Sequence, residues 1–136
     1  MDPNAVNDMW KGLFAPHLGV RFVETGPDRV VAELEIRDPL RTIGGALHGG
    51  TLMALADTVG GTAAVLNLPP GASTATIESK TNFFAAGKSG VVRAEATPLQ
   101  SIADERGMTA NAVMQALFRI RQSLMNCVAR FAEGSA

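Results

Sequence analysis

Leu47-His48-Gly49-Gly50-Thr51-Leu52-Met53-Ala54-Leu55-Ala56-Asp57 decides how this chain is read. It places a histidine and two glycines ahead of an apolar run that recurs at three- and four-residue steps, with one carboxylate inside the run. That spacing predicts a helix over 49–67, with Leu52, Leu55, Ala56, Val59, Ala63 and Leu66 on its core face. A second stripe, Gly50, Ala54, Asp57, Gly61 and Ala64, consists of small residues around the acid and admits a backbone or a narrow ligand closely. Gly60-Gly61 costs the helix about 1 kcal/mol per glycine relative to alanine, which asks for a packing or functional reason. The amides of a first helical turn lack intrahelical partners and sit at the positive end of the dipole, so they suit an oxygen that gains negative charge. Aspartate is ionised at neutral pH, so Asp57 suits a nucleophile or general base better than an acid.

Upstream, Val6, Met9, Trp10, Leu13 and Phe14 space a short amphipathic helix over 4–14, a lid or brace. Two strands, 18–24 and 29–36, follow across the turn Gly26-Pro27-Asp28, with Val30, Ala32, Leu34 and Ile36 on one face and Glu33 and Glu35 on the other. Asp38-Pro39 ends that unit, because proline cannot donate to a sheet ladder. Downstream, strands are expected over 74–84, 90–98, 108–119 and 124–132. In the last two, Val113, Leu117, Ile120, Leu124, Val128 and Phe131 also fit a helical period, and the alternation of Met125, Cys127, Ala129 and Phe131 favours strands.

At 136 residues and 46% apolar, the chain has the size and composition of one domain, 1–136, with one core. Twelve basic residues balance 13 acidic ones without a Lys/Arg run, so the electrostatic footprint of a nucleic-acid binder is missing and a small-molecule partner is expected. The one cysteine, Cys127, cannot form an internal disulfide, which fits a reducing, cytoplasmic setting. No signal segment is expected at Met1-Asp2-Pro3-Asn4, nor any apolar run near the roughly 18 residues of a membrane span. Two histidines, His17 and His48, lie 31 positions apart and offer no metal-ligand cluster.

A helix of some five turns headed by His48-Gly49-Gly50, with an acid nine residues after the histidine and strands on either side, resembles the hotdog fold, an α+β architecture in which an antiparallel sheet wraps a long central helix. Within it the chain resembles the phenylacetate-pathway type of acyl-CoA thioesterase. The likeness runs over 18–98, through the histidine motif, Leu55-Ala56-Asp57, Thr76-Ile77-Glu78 leading into Asn82-Phe83-Phe84, and Ala94-Glu95-Ala96. Beyond Leu99 it rests on length and alternation, and the family's basic Gly-Arg turn is replaced by the longer, more acidic Gln100-Ser101-Ile102-Ala103-Asp104-Glu105-Arg106-Gly107. The resemblance implies a homodimer or homotetramer with paired antiparallel central helices, acting on an acyl-CoA with an aromatic or medium-chain acyl group. Coenzyme A enters as part of the substrate, and no separate cofactor or metal is implied. By position, Asp57 is the catalytic carboxylate, Gly49 the backbone donor to the thioester carbonyl, His48 a residue that orients or polarises the site, and Thr76 a hydroxyl that places water. Thr42, Gly50 and Gly61 are the expected substrate contacts. Where the family has Asn or Gln six residues before the histidine, Thr42 is a shorter donor, which points to a shifted substrate range or rate.

His48 and Asp57 stand nine positions apart, about 13 Å along a helix and half a turn out of phase, so they cannot touch one atom from a single chain. If both act at one site, the site combines Asp57 of one protomer with the helix opening of another. The plainer alternatives are a capping or packing role for His48 and a solvated carboxylate for Asp57. His17 is structural, Glu78 and Lys80 form an exposed strand face, and Lys88 and Arg93 are solvated cations within conceivable reach of coenzyme A phosphates. Three other functions compete with hydrolysis: a non-catalytic acyl-CoA-binding hotdog protein, a hotdog dehydratase or hydratase, and, weakest, a metal enzyme.

Overall fold

The structure, a computed structural model, describes residues 1–112. Met1–Pro98 form one compact unit, and a second begins at Leu99. The first unit is built on a three-stranded antiparallel sheet in the order β1 (Arg21–Thr25), β2 (Val30–Glu35), β3 (Val91–Ala96). Strands β1 and β2 form the expected hairpin, closed where the Gly26 N–H donates to the Arg29 carbonyl at 2.8 Å. Phe22 lies opposite Ala32 and Thr25 opposite Val30, with a register irregularity between Phe22 and Glu24. In the other ladder Leu34 faces Val92 and Glu33 faces Arg93.

Period-2 patterning in β2 buries Val30, Ala32 and Leu34, with Ile36 just beyond the strand, as expected. Helix α3 (Gly49–Val65) lies against β2 and β3 through Leu55, Val59 and Ala63. Burying a side chain such as Leu55 or Val59 contributes about 1.5–3 kcal/mol before entropic costs. The helix turns slightly differently from expectation: Thr51 and Thr62 are buried and Ala56 is exposed. Thr62 is accommodated because its hydroxyl donates to the Thr58 carbonyl at 2.8 Å, so that hydroxyl is not left unpaired. On the outer face of the sheet, Arg21 and Arg93 both pair with Glu33 at 2.8 and 3.6 Å, while Arg29 links Glu24 at 3.3 Å and Glu95 at 2.7 Å. The Glu95 carboxyl is held below its usual range chiefly by the hydrogen bond from Arg29.

Several expectations need correction. The single helix over 4–14 is two short ones, α1 (Pro3–Met9) and α2 (Phe14–Leu18), separated at Gly12, whose φ of +77° a helix interior cannot contain. Residues 74–84 form no strand; nearly all of them are exposed and none joins a ladder, so their alternation has no buried face to satisfy. The acidic stretch after Leu99 is helical, α4 (Leu99–Glu105), ending at Gly107. Ala110 to Ala112 are helical rather than extended, with the Thr109 hydroxyl accepting the Ala112 N–H at 3.1 Å as an N-cap. The remainder of the expected strand 108–119, all of 124–132 and Cys127 lie outside the described residues. Gly49–Leu66 averages a hydropathy of 1.2 over 18 residues, long and apolar enough to cross a membrane by length and composition alone. Its leucines, valines and alanines reach that average although glycines, threonines and Asp57 interrupt them, and its Leu55 face packs on the sheet as a core helix does.

Candidate active site

The opening of α3 is fixed by the loop before it. Thr42 and Ala46 close a tight turn, with the Thr42 N–H donating to the Ala46 carbonyl at 2.7 Å and Gly45 at φ +78°. Arg41 and Leu47 pair across its base, and the Arg41 guanidinium donates to the carbonyls of Gly45 and Lys88 at 2.8 and 2.6 Å. The Leu47 N–H reaches the Gly87 carbonyl and the His48 N–H the Leu40 carbonyl, both at 2.8 Å, so the residue entering the helix is held from two sides.

His48 is the N-cap of α3, and its Nδ1 accepts the Gly50 N–H at 2.9 Å. For that bond Nδ1 must be bare, so Nε2 carries the ring proton and is left as an outward donor. A Cβ on Gly50 would lie 3.0 Å from Nδ1, which explains why a glycine follows the cap so closely. With the Gly50 amide engaged, the neighbouring Gly49 N–H makes no hydrogen bond among the described residues. The Phe83 ring covers that position, its Cζ lying 3.2 Å from where a Gly49 Cβ would be. In the sequence Phe83 is marked only by the Asn82-Phe83-Phe84 motif, and no periodicity signals that it lies over the helix opening.

Midway along α3, Asp57 is exposed, and its Oδ1 accepts the Thr76 hydroxyl at 2.8 Å. The irregular segment that replaces the expected strand 74–84 thus still delivers Thr76 to the carboxylate. Asp57, Thr76 and Gly61 border one cleft of about 820 Å³, which the N-terminal segment also lines through Met9, Trp10, Leu13 and Phe14. Gly60 and Gly61 have no atom within 4 Å of an added Cβ, so no neighbour in the described residues accounts for their cost to the helix. Glu78, read from sequence as part of an exposed face, also borders the cleft.

The structure therefore joins Asp57, Thr76 and Gly61 at one place and His48, Gly49 and Gly50 at another, with Thr42 exposed in the turn just before the helix. Within one chain the two sets are separated by the nine-residue stretch of α3 from His48 to Asp57, about 13 Å along the axis. Arg93 is engaged by Glu33, while Lys88 is exposed and contributes its backbone carbonyl to the Arg41 clasp.

Comparison with known proteins places this geometry. Residues 44–101, which hold the cap, the carboxylate and Thr76, match the Thioesterase superfamily. A Mycobacterium tuberculosis protein bearing an esterase name is 34% identical over 89 residues, 63% of this chain and 64% of that protein. The chain thus spans a little under two thirds of that relative. The proofreading thioesterase EntH of Cronobacter turicensis is 30% identical over 99 residues, covering 73% of this chain and 72% of EntH. A crystal structure of a Haemophilus influenzae thioesterase superposes with a TM-score of 0.69 at 30% identity, covering 72% of this chain and 68% of that one. These matches, over the span that carries the sheet and the central helix, show that the chain belongs to the thioesterase superfamily, as a hotdog-fold member.

Proposed function

We propose that the protein hydrolyses the thioester of an acyl-CoA, with an aromatic or medium-chain acyl group, to the free acid and coenzyme A. The observation that carries this reading is the Asp57 carboxylate at the edge of a cleft with Thr76 donating to its Oδ1. Thr76 holds one carboxylate oxygen, which leaves Oδ2 to attack the thioester carbon or to take a proton from an attacking water. Either route puts negative charge on the thioester oxygen. The Gly49 N–H, unengaged at the positive end of α3, is the donor we assign to that oxygen, and His48 Nε2 is a second donor beside it.

Because α3 separates these donors from Asp57, the working site is composite: Asp57 and Thr76 of one protomer meet His48 and Gly49 of another across paired antiparallel helices. A homodimer or homotetramer follows, and Thr42 and Gly50 contact substrate at that junction. We place the enzyme in the cytoplasm, where acyl-CoA is available, and keep 1–136 as one functional domain.

The test is release of free thiol from short, long and aromatic acyl-CoAs by wild type and by Asp57→Asn. Wild-type turnover with a loss of at least about a hundredfold in the variant is expected. Acyl-CoA binding without thiol release across the panel would make the protein a binding module instead.

A further inference from the structure

We infer that the N-terminal helical segment is the acyl-recognition wall of this site, so that the acyl chain lies between α3 and residues Met9, Trp10, Leu13 and Phe14. This rests on the reading of Asp57 as the catalytic carboxylate.

The wall is built, not draped. The Asn7 side chain donates to the Phe22 carbonyl and accepts the Phe22 N–H, both at 2.9 Å, occupying the edge of β1 as a strand would. The Met1 ammonium donates to the Thr25 carbonyl at 3.0 Å, and the Thr25 hydroxyl returns a bond to Met1 at 2.6 Å. Trp10 stacks on the core residue Phe22 with ring centroids 6.3 Å apart. Beyond these anchors the segment leaves Met9, Leu13 and Phe14 at 69%, 53% and 60% exposure, although all three are apolar and border the cleft. Gly60 and Gly61 border the same cleft and present no side chain, and an added Cβ there meets open space.

Charge decides which part of the substrate enters. The charged groups of the residues bordering the cleft are the Asp57 and Glu78 carboxylates and the Met1 ammonium, which is engaged by the Thr25 carbonyl; among the described residues no lysine, arginine or histidine borders it, so negative charge prevails. The pyrophosphate of coenzyme A is repelled from such a place, whereas an uncharged hydrocarbon is not. A volume of about 820 Å³ lies within the range of cavities that enclose drug-sized ligands, and is far larger than an acetyl group requires. Met9, Leu13 and Phe14 therefore set acyl length and shape, and medium-length chains are favoured over short ones.

The chain has a single tryptophan, Trp10, so its fluorescence reports occupancy of this wall directly. In Asp57→Asn protein, titration with acetyl-, butyryl- and decanoyl-CoA reads binding in the absence of turnover. Each buried methylene is worth about fourfold in affinity, so decanoyl-CoA is expected to shift Trp10 emission at a concentration at least about tenfold below butyryl-CoA. In this background Leu13→Asp and, independently, Phe14→Ala should cut that decanoyl-to-butyryl ratio by about tenfold; both sites are exposed, so folding is expected to survive. An unchanged Trp10 signal at saturating decanoyl-CoA, or a ratio unmoved by both variants, overturns the inference. Failure of the wild type to release thiol would instead overturn the hydrolytic reading and leave the binding result standing by itself.

Discussion

Replacing Gly60 and Gly61 together by alanine sets stability against turnover. Both lie inside α3 with ordinary negative φ, where glycine is worse than alanine by about 1 kcal/mol, and neither new Cβ meets an atom within 4 Å. Each substitution is therefore expected to stabilise by about 0.5–1 kcal/mol, largely by restricting the unfolded chain. For a domain of this size about 1 kcal/mol moves Tm by roughly 3–5 °C, so the double variant should melt roughly 3–10 °C above wild type. The same two methyls project into the cleft beside Asp57, and kcat/KM for a medium-chain acyl-CoA should fall by about tenfold or more. Circular-dichroism melts and a thiol-release assay on one preparation measure both. A lowered Tm would mean that a second helix, not substrate, fills that space, and unchanged kcat/KM would mean that nothing does; either result refutes the reasoning.

Three further outcomes are expected. His48→Ala removes the acceptor of the Gly50 N–H and should cost about 1 kcal/mol of stability, seen as a Tm lowered by roughly 3–5 °C, together with a loss of turnover that a mere cap would not produce. Thr76→Val removes the hydroxyl that holds Asp57 Oδ1; because Thr76 is exposed, stability should stay within about 0.5 kcal/mol while kcat falls more than KM rises. Glu95, whose carboxyl is lowered by its hydrogen bond from Arg29, stabilises the fold above its unfolded-state pKa, and that stabilisation disappears as pH falls through the folded-state value. The Tm gap between wild type and Glu95→Gln should accordingly close as pH falls from neutral into the acid range, and should shrink in high salt because the pair is exposed.

The elements that carry their own instructions were legible in the sequence. The β1–β2 hairpin follows from alternation across Gly26-Pro27-Asp28, β3 from its Val-rich start, and α3 from its spacing and its histidine-glycine opening. What depends on distant partners was not legible. Alternation over 74–84 reports a pattern of side chains, yet a strand also needs a neighbour for its ladder, and the described residues supply none. The helical turn at Ala110 depends on the Thr109 cap, a local signal that alternation in the following residues obscured. At the site, the helix start and Asp57 were visible from spacing, whereas the link between Thr76 and Asp57, 19 positions apart, came only through family resemblance. The cleft wall formed by Met9, Leu13 and Phe14 read simply as one face of an amphipathic helix, because periodicity tells which residues are apolar and not what they face.

The composite site is tested most directly by mixing two inactive variants. Asp57→Asn removes the carboxylate. Gly49→Pro removes the amide donor and obliges the exposed Phe83 ring to give way by a few tenths of an ångström, while the backbone accepts it, since proline suits the first helical position and His48, at φ −65° and ψ 134°, already has the extended backbone required before proline. When the two are unfolded and refolded together as random dimers, half are mixed, and a shared site leaves one intact centre in each mixed dimer, so activity should recover to about one quarter of wild type. If both variants still assemble and the mixture stays as inactive as its parts, carboxylate and donor do not meet across protomers, and the account is wrong.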